Sequence, residues 1–487
     1  MDLKKINFGD RVAENEASKL DEYFVETEQW HSLKNGDVDV VFGSKGAGKS
    51  ALYTLALRNK EYFTKQNIFL ISAEKPTGTT VFSDINTEPP TKETEFVYLW
   101  KLYICQLISN FLNENGHNDG DAKKVNDILV EAGLLEQKST LKKMINKAMR
   151  FAKRFIDIES VEAGPTADGS FTGKITFRSP SDEQELAGYK SIDELIEMLA
   201  NYLSDNEIKI WILFDRLDVA FEQSLELEKN ALRALFKTYR DIEEHLNIRF
   251  KIFLRDDVWK RITNDGFREA SHITRTTTIS WTDQTLMNLI ISRALNNADI
   301  ISKYSINKSE TLSQYSKQEE LYYKILPKQV EIGEKQSDTF NWIKSRVKDG
   351  LNNVAPRELI HFYNESIKNE IKSIEIGNSQ SEEPNIVSRQ SIKSAAAEVS
   401  KVRTEQTLFA EYNEFKEYIL KLENAKAEHN LETLSSIWNT SQKQAENIAT
   451  KLAEIGFFEA KSAKVDKLFK IPFLYRPYLS IVQGKAF

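Results

Sequence analysis

A glycine-rich segment at residues 43–50 reads Gly-Ser-Lys-Gly-Ala-Gly-Lys-Ser and matches the pattern G-x-x-x-x-G-K-[ST] at every position. A β-rich run at residues 37–42 precedes this segment, and a helical sequence beginning at Ala51 follows it. Glycines at these positions leave room for backbone N–H groups to wrap around a phosphate. A helix that starts directly after the loop points the positive end of its dipole at the same anion. Strand, loop and helix in this order predict an α/β fold with a parallel sheet.

This phosphate loop (residues 43–50) predicts a nucleotide site of the P-loop NTPase type. Lys49 would bring an ammonium to the β- and γ-phosphates, and the Ser50 hydroxyl would coordinate Mg²⁺. The sequence has no N-K-x-D motif for reading guanine, which favours ATP over GTP. The alternative, a chance glycine-rich turn, is disfavoured by the strand and the helix on either side. ATP and Mg²⁺ are therefore the predicted cofactors, and the predicted nucleotide-binding residues are Gly43, Ser44, Lys45, Gly46, Ala47, Gly48, Lys49, Ser50 and Ala51.

A second apolar strand ends in acidic residues. Residues 208–214 read Ile-Lys-Ile-Trp-Ile-Leu-Phe, and Asp215 and Asp218 follow them. Asp215 is predicted to hold Mg²⁺, and Asp218 is predicted to polarise the attacking water as a general base. Arg216 stands where a second acid usually follows, which argues for slow hydrolysis. The alternative role for either aspartate is to cap a helix or a turn.

Two arginines are candidates for contacting the γ-phosphate. Arg255 ends the predicted strand 249–254, which we expect beside the Mg²⁺-binding strand. Arg357 follows Pro356, and because proline suits a first helical turn, Arg357 would project from the start of a helix toward the nucleotide. Contacts made only with the γ-phosphate would act as a switch, because hydrolysis removes them. The alternatives are a salt bridge between Arg255 and a following aspartate, and an ordinary surface position for Arg357.

Composition excludes several classes of protein. Of the 487 residues, 40% are hydrophobic and 29% are charged, which is enough apolar surface for a folded core. The single cysteine excludes a disulfide framework and a cysteine-rich zinc module, and it favours a reducing, cytoplasmic setting. The first residues do not resemble a signal peptide, and no apolar run is long enough for a membrane span. A net charge of −7 excludes a uniformly basic nucleic-acid coat.

The order of apolar runs predicts several regions along the chain. Further strands are expected at 67–72 and 273–280, a helix at 16–34, mainly helical structure at 92–155, and a small hairpin within 158–185. The lid would carry two helices, at 337–348 and 355–371. The predicted domains are a P-loop ATPase core at 1–300 with an insertion at about 92–185, a helical lid at 301–372, a linker at 373–400, and a winged helix at 401–487.

The C-terminal prediction rests on three helices, at 405–424, 431–438 and 441–455, followed by two β-rich segments. This is the order of elements in a winged helix. Lys443 and Lys451 lie on the third helix, and four more lysines follow in the hairpin region, so that the helix and wing could contact DNA. Alternatively, the winged helix packs against the nucleotide domain and does not contact DNA. This second interpretation is the favoured one. The basic run 142–154 could also contact nucleic acid, but a solvated helix face is the favoured interpretation of it.

Several short motifs together resemble a family of prokaryotic P-loop ATPases in the STAND/AAA+-like group. The segments that carry the resemblance are 7–9 with 13–14, 43–52, 214–218, 253–257, 279–281, 355–357 and 471–479. The resemblance implies an ATP-driven switch, of a kind that often belongs to antiviral defence or related conflict systems. We find neither a super-helical repeat array nor a clear effector enzyme in the sequence. A sensor or effector would therefore be the inserted segment 92–185, the winged helix or a separately encoded protein. A homo-oligomer is the other expected partner.

Two other functions remain open from the sequence. In the first, an AAA+-like ATPase loads onto or remodels DNA and uses the winged helix to contact it. In the second, the chain is an ATP-dependent scaffold for an effector. DNA-stimulated turnover would favour the first, and assembly that depends on ATP but not on DNA would favour the switch.

Overall fold

The computed structural model of the chain describes residues 1–16, 24–73, 92–135, 175–176, 190–217, 225–379, 381–462 and 467–487. These residues form two compact units. The α/β unit consists of Glu28–Gly43 and Lys49–Ile279, and the helical unit consists of Met1–Thr27, Ser44–Gly48 and Ser280–Phe487. The predicted core domain, 1–300, includes residues of both units, and the proposed domain boundaries stay a prediction.

A parallel β-sheet forms the centre of the α/β unit, as the sequence predicted. Its described strands pair in the order β2-β5-β6-β1-β7, and every pair is parallel. All residues of β5 after Lys209 are buried, because a parallel sheet covered on both faces requires a continuous apolar strand. The strands of this unit are β1 (Val40–Gly43), β2 (Ile68–Ser72), β3 (Ile175–Thr176), β4 (Lys190–Ser191), β5 (Lys209–Phe214), β6 (Ile248–Arg255) and β7 (Thr276–Thr278).

Helices cover the sheet of the α/β unit. Trp100 on α4 is fully buried, and its indole N–H donates to the Ala231 carbonyl at 2.8 Å, which joins α4 to α7. The Trp100 ring also meets the Phe214 ring edge-on at 5.7 Å. The helices are α1 (Glu28–Lys34), α2 (Lys49–Arg58), α3 (Lys60–Thr64), α4 (Glu93–Glu114), α5 (Gly120–Glu131), α6 (Ile192–Asp205), α7 (Leu225–Ile242) and α8 (Asp256–Thr263).

Three predictions for this unit need correction or lie outside the described residues. In its described part, the predicted helix 16–34 is α-helical only from Glu28, and Glu16 ends a 3₁₀ turn that begins at Ala13. The predicted hairpin within 158–185 lies outside the described residues except for Ile175–Thr176, which pairs in parallel with Lys190–Ser191. Ser191 caps α6, and Ile175 is fully buried. The basic run 142–154 lies outside the described residues.

Seven α-helices lie in the described part of the helical unit before its C-terminal region. The second predicted lid helix begins at Pro356, as expected for proline at a first helical turn. Tyr322 and Tyr363 are both buried and share a hydroxyl–hydroxyl hydrogen bond of 2.8 Å, which joins α12 to α14. The described helices are α9 (Asp283–Ala294), α10 (Ala298–Tyr304), α11 (Lys308–Ser313), α12 (Tyr315–Ile325), α13 (Thr339–Val347), α14 (Pro356–Glu375) and α15 (Arg389–Arg403). The range 373–400 that the sequence suggests as a linker therefore includes most of α15.

The C-terminal region has the order of elements that is typical of a winged helix. A helix leads into a strand, two further helices follow, and β9 and β10 form an antiparallel hairpin that joins the first strand. The sheet order is β11-β8-β10-β9. The elements are α16 (Lys416–Leu420), β8 (Lys426–His429), α17 (Leu431–Trp438), α18 (Gln442–Glu454), β9 (Glu459–Ser462), β10 (Lys467–Lys470) and β11 (Val482–Lys485).

The single helix predicted at 405–424 is wrong. A π turn at Thr404–Leu408 continues α15, a helical turn covers Phe409–Glu411, and the chain leaves the helix at Tyr412, whose φ is −132°. Phe409 is buried, and its ring meets the Tyr478 ring at 6.0 Å. This tertiary contact with a distant segment overrides the helical propensity of the local sequence.

Candidate nucleotide-binding site

The phosphate loop connects β1, which ends at Gly43, to α2, which begins at Lys49. Gly46 and Gly48 have φ values of +81° and +110°, a region that favours glycine because a Cβ atom is strained there. The Lys49 ammonium folds back across the loop and donates to the Gly43 carbonyl at 2.9 Å. The loop therefore has the curled form expected of the motif, and Ser50 and Ala51 lie in the first turn of α2.

The carboxyl ends of three neighbouring strands bring the other predicted residues of this unit to the same edge of the sheet. Gly43 at the end of β1 pairs in register with Arg255 at the end of β6. Asp215 directly follows β5, the neighbour of β6, and is only 3% exposed. Ligands of open α/β sheets bind beyond the carboxyl ends of the strands. The fold thus collects Gly43, Asp215 and Arg255 where a nucleotide would be held.

Arg255 forms the salt bridge that the sequence left open as an alternative. Its Nε and Nη2 donate to the two carboxylate oxygens of Asp257 at 3.0 and 2.8 Å. Burial would raise the pKa of Asp257, but the adjacent Arg255 guanidinium holds it below its usual value. The side chain of Arg255 is therefore fixed by a bidentate pair, and its contact with a γ-phosphate stays a prediction.

The sequence interpretation did not give Asp256 a separate role. Burial raises the pKa of this carboxyl group, and the nearby Lys49 ammonium opposes that rise. The signal was present in the sequence as the acidic pair directly after Arg255, but only the fold shows which of the two acids lies near Lys49. Asp218, the predicted general base, lies outside the described residues. Arg216, between the two candidate acids, has a positive φ of 51°.

Residues 44–48 of the phosphate loop belong to the helical unit, where they contact the start of α14. A Cβ atom built at Gly46 would lie 3.2 Å from Cβ of Arg357 and 3.3 Å from Cβ of Ala355. The Trp281 indole N–H donates to the Ala47 carbonyl at 2.8 Å. Arg357 thus lies beside the loop, on the first turn of the helix that the sequence predicted. Whether it touches phosphate stays a prediction.

Two carboxylates beside the loop were not anticipated from the sequence. Glu411 forms an ion pair with Lys45, and a carboxylate oxygen of Glu358 lies 3.3 Å from a Cβ built at Gly46. The other oxygen of Glu358 accepts from Arg403 at 3.0 Å. Lys45 and Glu411 are 366 positions apart, so no local pattern could indicate their contact.

The described ranges contain no group of three or more histidine, cysteine, aspartate or glutamate residues that could hold a metal ion. None of the helices in those ranges combines the length and the apolar character that crossing a membrane requires.

Comparisons with known proteins gave distant similarities. No family model matches the chain. A putative transposon gamma-delta 80.3 kDa protein of Escherichia coli strain K12 is 23% identical over 268 residues, which cover 53% of this chain and 35% of that relative. The chain thus spans about a third of the length of the curated relative it matches.

Among solved structures, two proteins of Aeropyrum pernix are similar over most of their length. The ORC2 protein, in ADPNP-ADP complexes, has a TM-score of 0.41 and 12% identity, covering 97% of this chain and 93% of that chain. The ORC1 protein, in complex with DNA, has a TM-score of 0.35 and 10% identity, covering 92% of this chain and 89% of that chain. TM-scores below 0.5 do not establish a shared fold, so the α/β class rests on the five-stranded parallel sheet itself.

Proposed function

We propose that the chain binds ATP at the phosphate loop and hydrolyses it slowly. The observation that carries this proposal is the curled loop between β1 and α2, with its two left-handed glycines and the Lys49 ammonium folded over the Gly43 carbonyl. A triphosphate would replace that carbonyl as the partner of the ammonium, and the backbone N–H groups of the loop and of the first turn of α2 would hold the β-phosphate.

Mg²⁺ fits the oxygen groups at this edge of the sheet. The Ser50 hydroxyl and the buried Asp215 carboxylate are hard oxygen ligands of the kind that Mg²⁺ prefers. Bound Mg²⁺ would neutralise charge on the phosphates. Asp215 is assigned to holding the metal, and Asp218 to accepting a proton from the attacking water. The arginine at position 216, in place of a second acid, supports slow rather than fast hydrolysis.

ATP and ADP would leave different contacts between the nucleotide and the helical unit. Arg357 on α14 lies beside Gly46, and we assign it, together with Arg255, to the γ-phosphate. Each charge-assisted hydrogen bond contributes about 1.5–3 kcal/mol, and a difference of about 1.4 kcal/mol shifts a two-state population tenfold. Such a switch could control assembly of a homo-oligomer or an effector. A role in antiviral defence stays a prediction of the resemblance.

Isothermal titration of MgATP into the full chain and into the Lys49→Ala variant tests this proposal. Removing the ammonium should weaken ATP binding by about 2–5 kcal/mol, because the phosphate charge then loses a desolvated partner. Lys60→Ala is the matched control, since Lys60 is exposed on α3, and it should bind ATP as the unmodified chain does. Equal ATP affinity in a folded Lys49→Ala variant would overturn the phosphate-loop assignment.

A DNA-acting ATPase is the second candidate function, and the surface of α18 favours it. The helix exposes Gln442, Lys443, Gln444, Asn447, Thr450 and Lys451. Amide side chains at such positions can read adenine, and lysines can neutralise phosphates. The Lys443→Gln variant should lower the salt dependence of DNA binding by about one unit of slope. Lys401→Gln, at an exposed site on α15, is the control. If DNA neither binds to the chain nor stimulates its ATP hydrolysis, the DNA-acting ATPase is excluded as a function.

A further inference from the structure

The phosphate loop of this chain is held by an acidic side chain from its own helical unit. The Lys45 ammonium forms an ion pair with the Glu411 carboxylate. Both side chains are partly shielded, with 27% and 23% of their surface exposed. A second carboxylate reaches the neighbouring position, because Glu358 Oε2 lies 3.3 Å from a Cβ built at Gly46. Two negative groups therefore lie against a loop whose expected ligand is also negative.

Glu411 is connected to the rest of α15 by an unusual helical segment. The residues between Arg403 and Phe409 form a π turn, in which the Phe409 N–H donates to the Thr404 carbonyl. Such turns are rare, occur mostly as single turns inside α-helices, and are frequent at functional sites. The i→i+4 hydrogen-bond pattern of α15 is therefore interrupted directly before the residues that carry Glu411.

The two acidic contacts with the loop lie at opposite ends of this π turn. Arg403, directly before the turn, donates to Glu358 at 3.0 Å, and Glu411 lies three residues beyond it. Glu358 Oε2 is buried and has no hydrogen-bond partner among the described residues. A change in the loop at Lys45 or Gly46 would therefore affect a contact at each end of the π turn.

The segment that carries Glu411 also contacts the C-terminal region. The Phe409 ring meets the Tyr478 ring at 6.0 Å, and the Tyr478 backbone N–H donates to the Ser400 hydroxyl at 3.1 Å. Residues 400–411 therefore link the phosphate loop to the chain that follows the hairpin of the winged-helix region.

We propose that Glu411 is an internal competitor of the nucleotide phosphates. In the nucleotide-free chain its carboxylate holds Lys45, and bound phosphates draw Lys45 away and repel Glu411, which releases residues 404–411. This inference rests on the proposed binding of ATP at the loop. By linkage, a contact that ATP breaks must also lower the affinity for ATP, so that removing the Glu411 charge tightens binding.

The first test needs no nucleotide. Hydrogen exchange of the full chain is compared with that of Glu411→Gln and of Glu414→Gln, which removes the same charge from an exposed position three residues away. Exchange at residues 44–48 and 404–411 should be faster in Glu411→Gln alone. If exchange in both segments is unchanged in Glu411→Gln, then Glu411 does not hold the loop through Lys45. This conclusion would apply whether or not the chain binds ATP.

The second test measures ATP affinity by titration in the same three proteins. Glu411→Gln should bind ATP about two- to fivefold more tightly, as expected for the loss of a partly exposed ion pair, and Glu414→Gln should match the unmodified chain. In a Lys45→Met background the effect of Glu411→Gln should shrink, because the competition acts through Lys45. ATP binding by the unmodified chain with no gain in Glu411→Gln would overturn the competition alone. No ATP binding by the unmodified chain would overturn it together with the proposed function.

Discussion

The α/β unit and the helical unit differ in the kinds of contact that stabilise each of them internally. The α/β unit is built from one stretch of sequence, interrupted only at residues 44–48, and its buried centre is a sheet of nearly continuous apolar strands. The helical unit combines the N-terminal residues 1–27, the loop residues 44–48 and the chain from Ser280 onward. Its N-terminal segment is fixed by polar pairs across long separations, such as Asn7 N–H to Asn297 Oδ1 at 2.9 Å.

This difference shows where local sequence patterns determine a fold. In the α/β unit, the side chains that fill the core are neighbours along strands and helices, so their periodicity is visible before the fold is known. In the helical unit, Phe8 N–H donates to Asn364 at 2.9 Å and Glu16 pairs with Arg293 at 2.9 Å. Contacts of this kind leave no periodic signal. The following variants test whether each unit depends on its own buried charges.

The largest effect is expected from Asp39→Asn in the α/β unit. Asp39 is fully buried and pairs with Lys251 at 2.8 Å, and Lys251 is 1% exposed. Burial lowers the pKa of Lys251 to about 8, against the attraction of Asp39. Removing one member of a buried pair leaves an uncompensated charge and costs about 3–5 kcal/mol. Urea unfolding followed by circular dichroism measures the loss, and hydrogen exchange should assign it to the α/β unit.

Asp37→Asn provides the control, because Asp37 is exposed two positions away. It should leave the unfolding free energy within about 0.5 kcal/mol of the unmodified value. An equal loss in both variants would mean that net charge, and not the buried pair, is responsible.

A smaller loss is expected from Glu16→Gln in the helical unit. Glu16 accepts from both terminal nitrogens of Arg293, at 3.1 and 2.9 Å. Arg293 keeps its bond to the Phe8 carbonyl at 2.7 Å, so the variant should lose about 1.5–3 kcal/mol, the usual range for hydrogen bonds to charged groups. Hydrogen exchange should rise in residues 6–16 and in α9 and stay constant in β1, β5 and β6. Glu334→Gln, at an exposed site of the same unit, is the control. Faster exchange in the sheet would contradict the division into two units.

The smallest effect is expected from Ser441→Ala at the start of α18. The Ser441 hydroxyl accepts from the Gln444 backbone N–H at 3.3 Å, and the Gln444 side chain accepts from the Ser441 N–H at 3.2 Å. Loss of such an N-cap costs about 1 kcal/mol. The local opening free energy of α18 from hydrogen exchange gives the value, with Ser436→Ala on an exposed face of α17 as the control. Equal effects of the two variants would leave the cap without a measurable role.

Much of the α/β unit and its phosphate loop could be predicted from the sequence. The strands at Val40, Ile68, Lys209 and Ile248 follow apolar runs, and the sheet brings Gly43, Asp215 and Arg255 to one edge as their positions after strands required. Arg357 was correctly expected at the start of a helix, because Pro356 marks a first helical turn. These predictions succeeded because the signal and the structure are both local.

The remaining contacts of the candidate site could not be predicted, because their partners are distant in sequence or depend on a broken helix. The pairing of Lys45 with Glu411 joins distant positions, and Glu411 lies in the helical turn Phe409–Glu411 that follows the π turn. The sequence left open which of the two following aspartates would pair with Arg255, and the bidentate pair with Asp257 depends on side-chain geometry that no local pattern indicates.

The division of the phosphate loop between the units has a consequence for protein engineering. The chain passes from one unit to the other at four peptide bonds, two of which bracket residues 44–48. Cutting the chain at one peptide bond therefore cannot separate the two units. A fragment that starts at Ser280 lacks both the N-terminal segment and residues 44–48 of the helical unit. A fragment that ends at Ile279 contains both of these segments but lacks the helices that they contact. If the two halves are expressed separately, the longer half contains both segments, which must pack against the shorter half before the helical unit is complete. We therefore expect each half alone to aggregate. A folded protein should form only when the two halves are produced together.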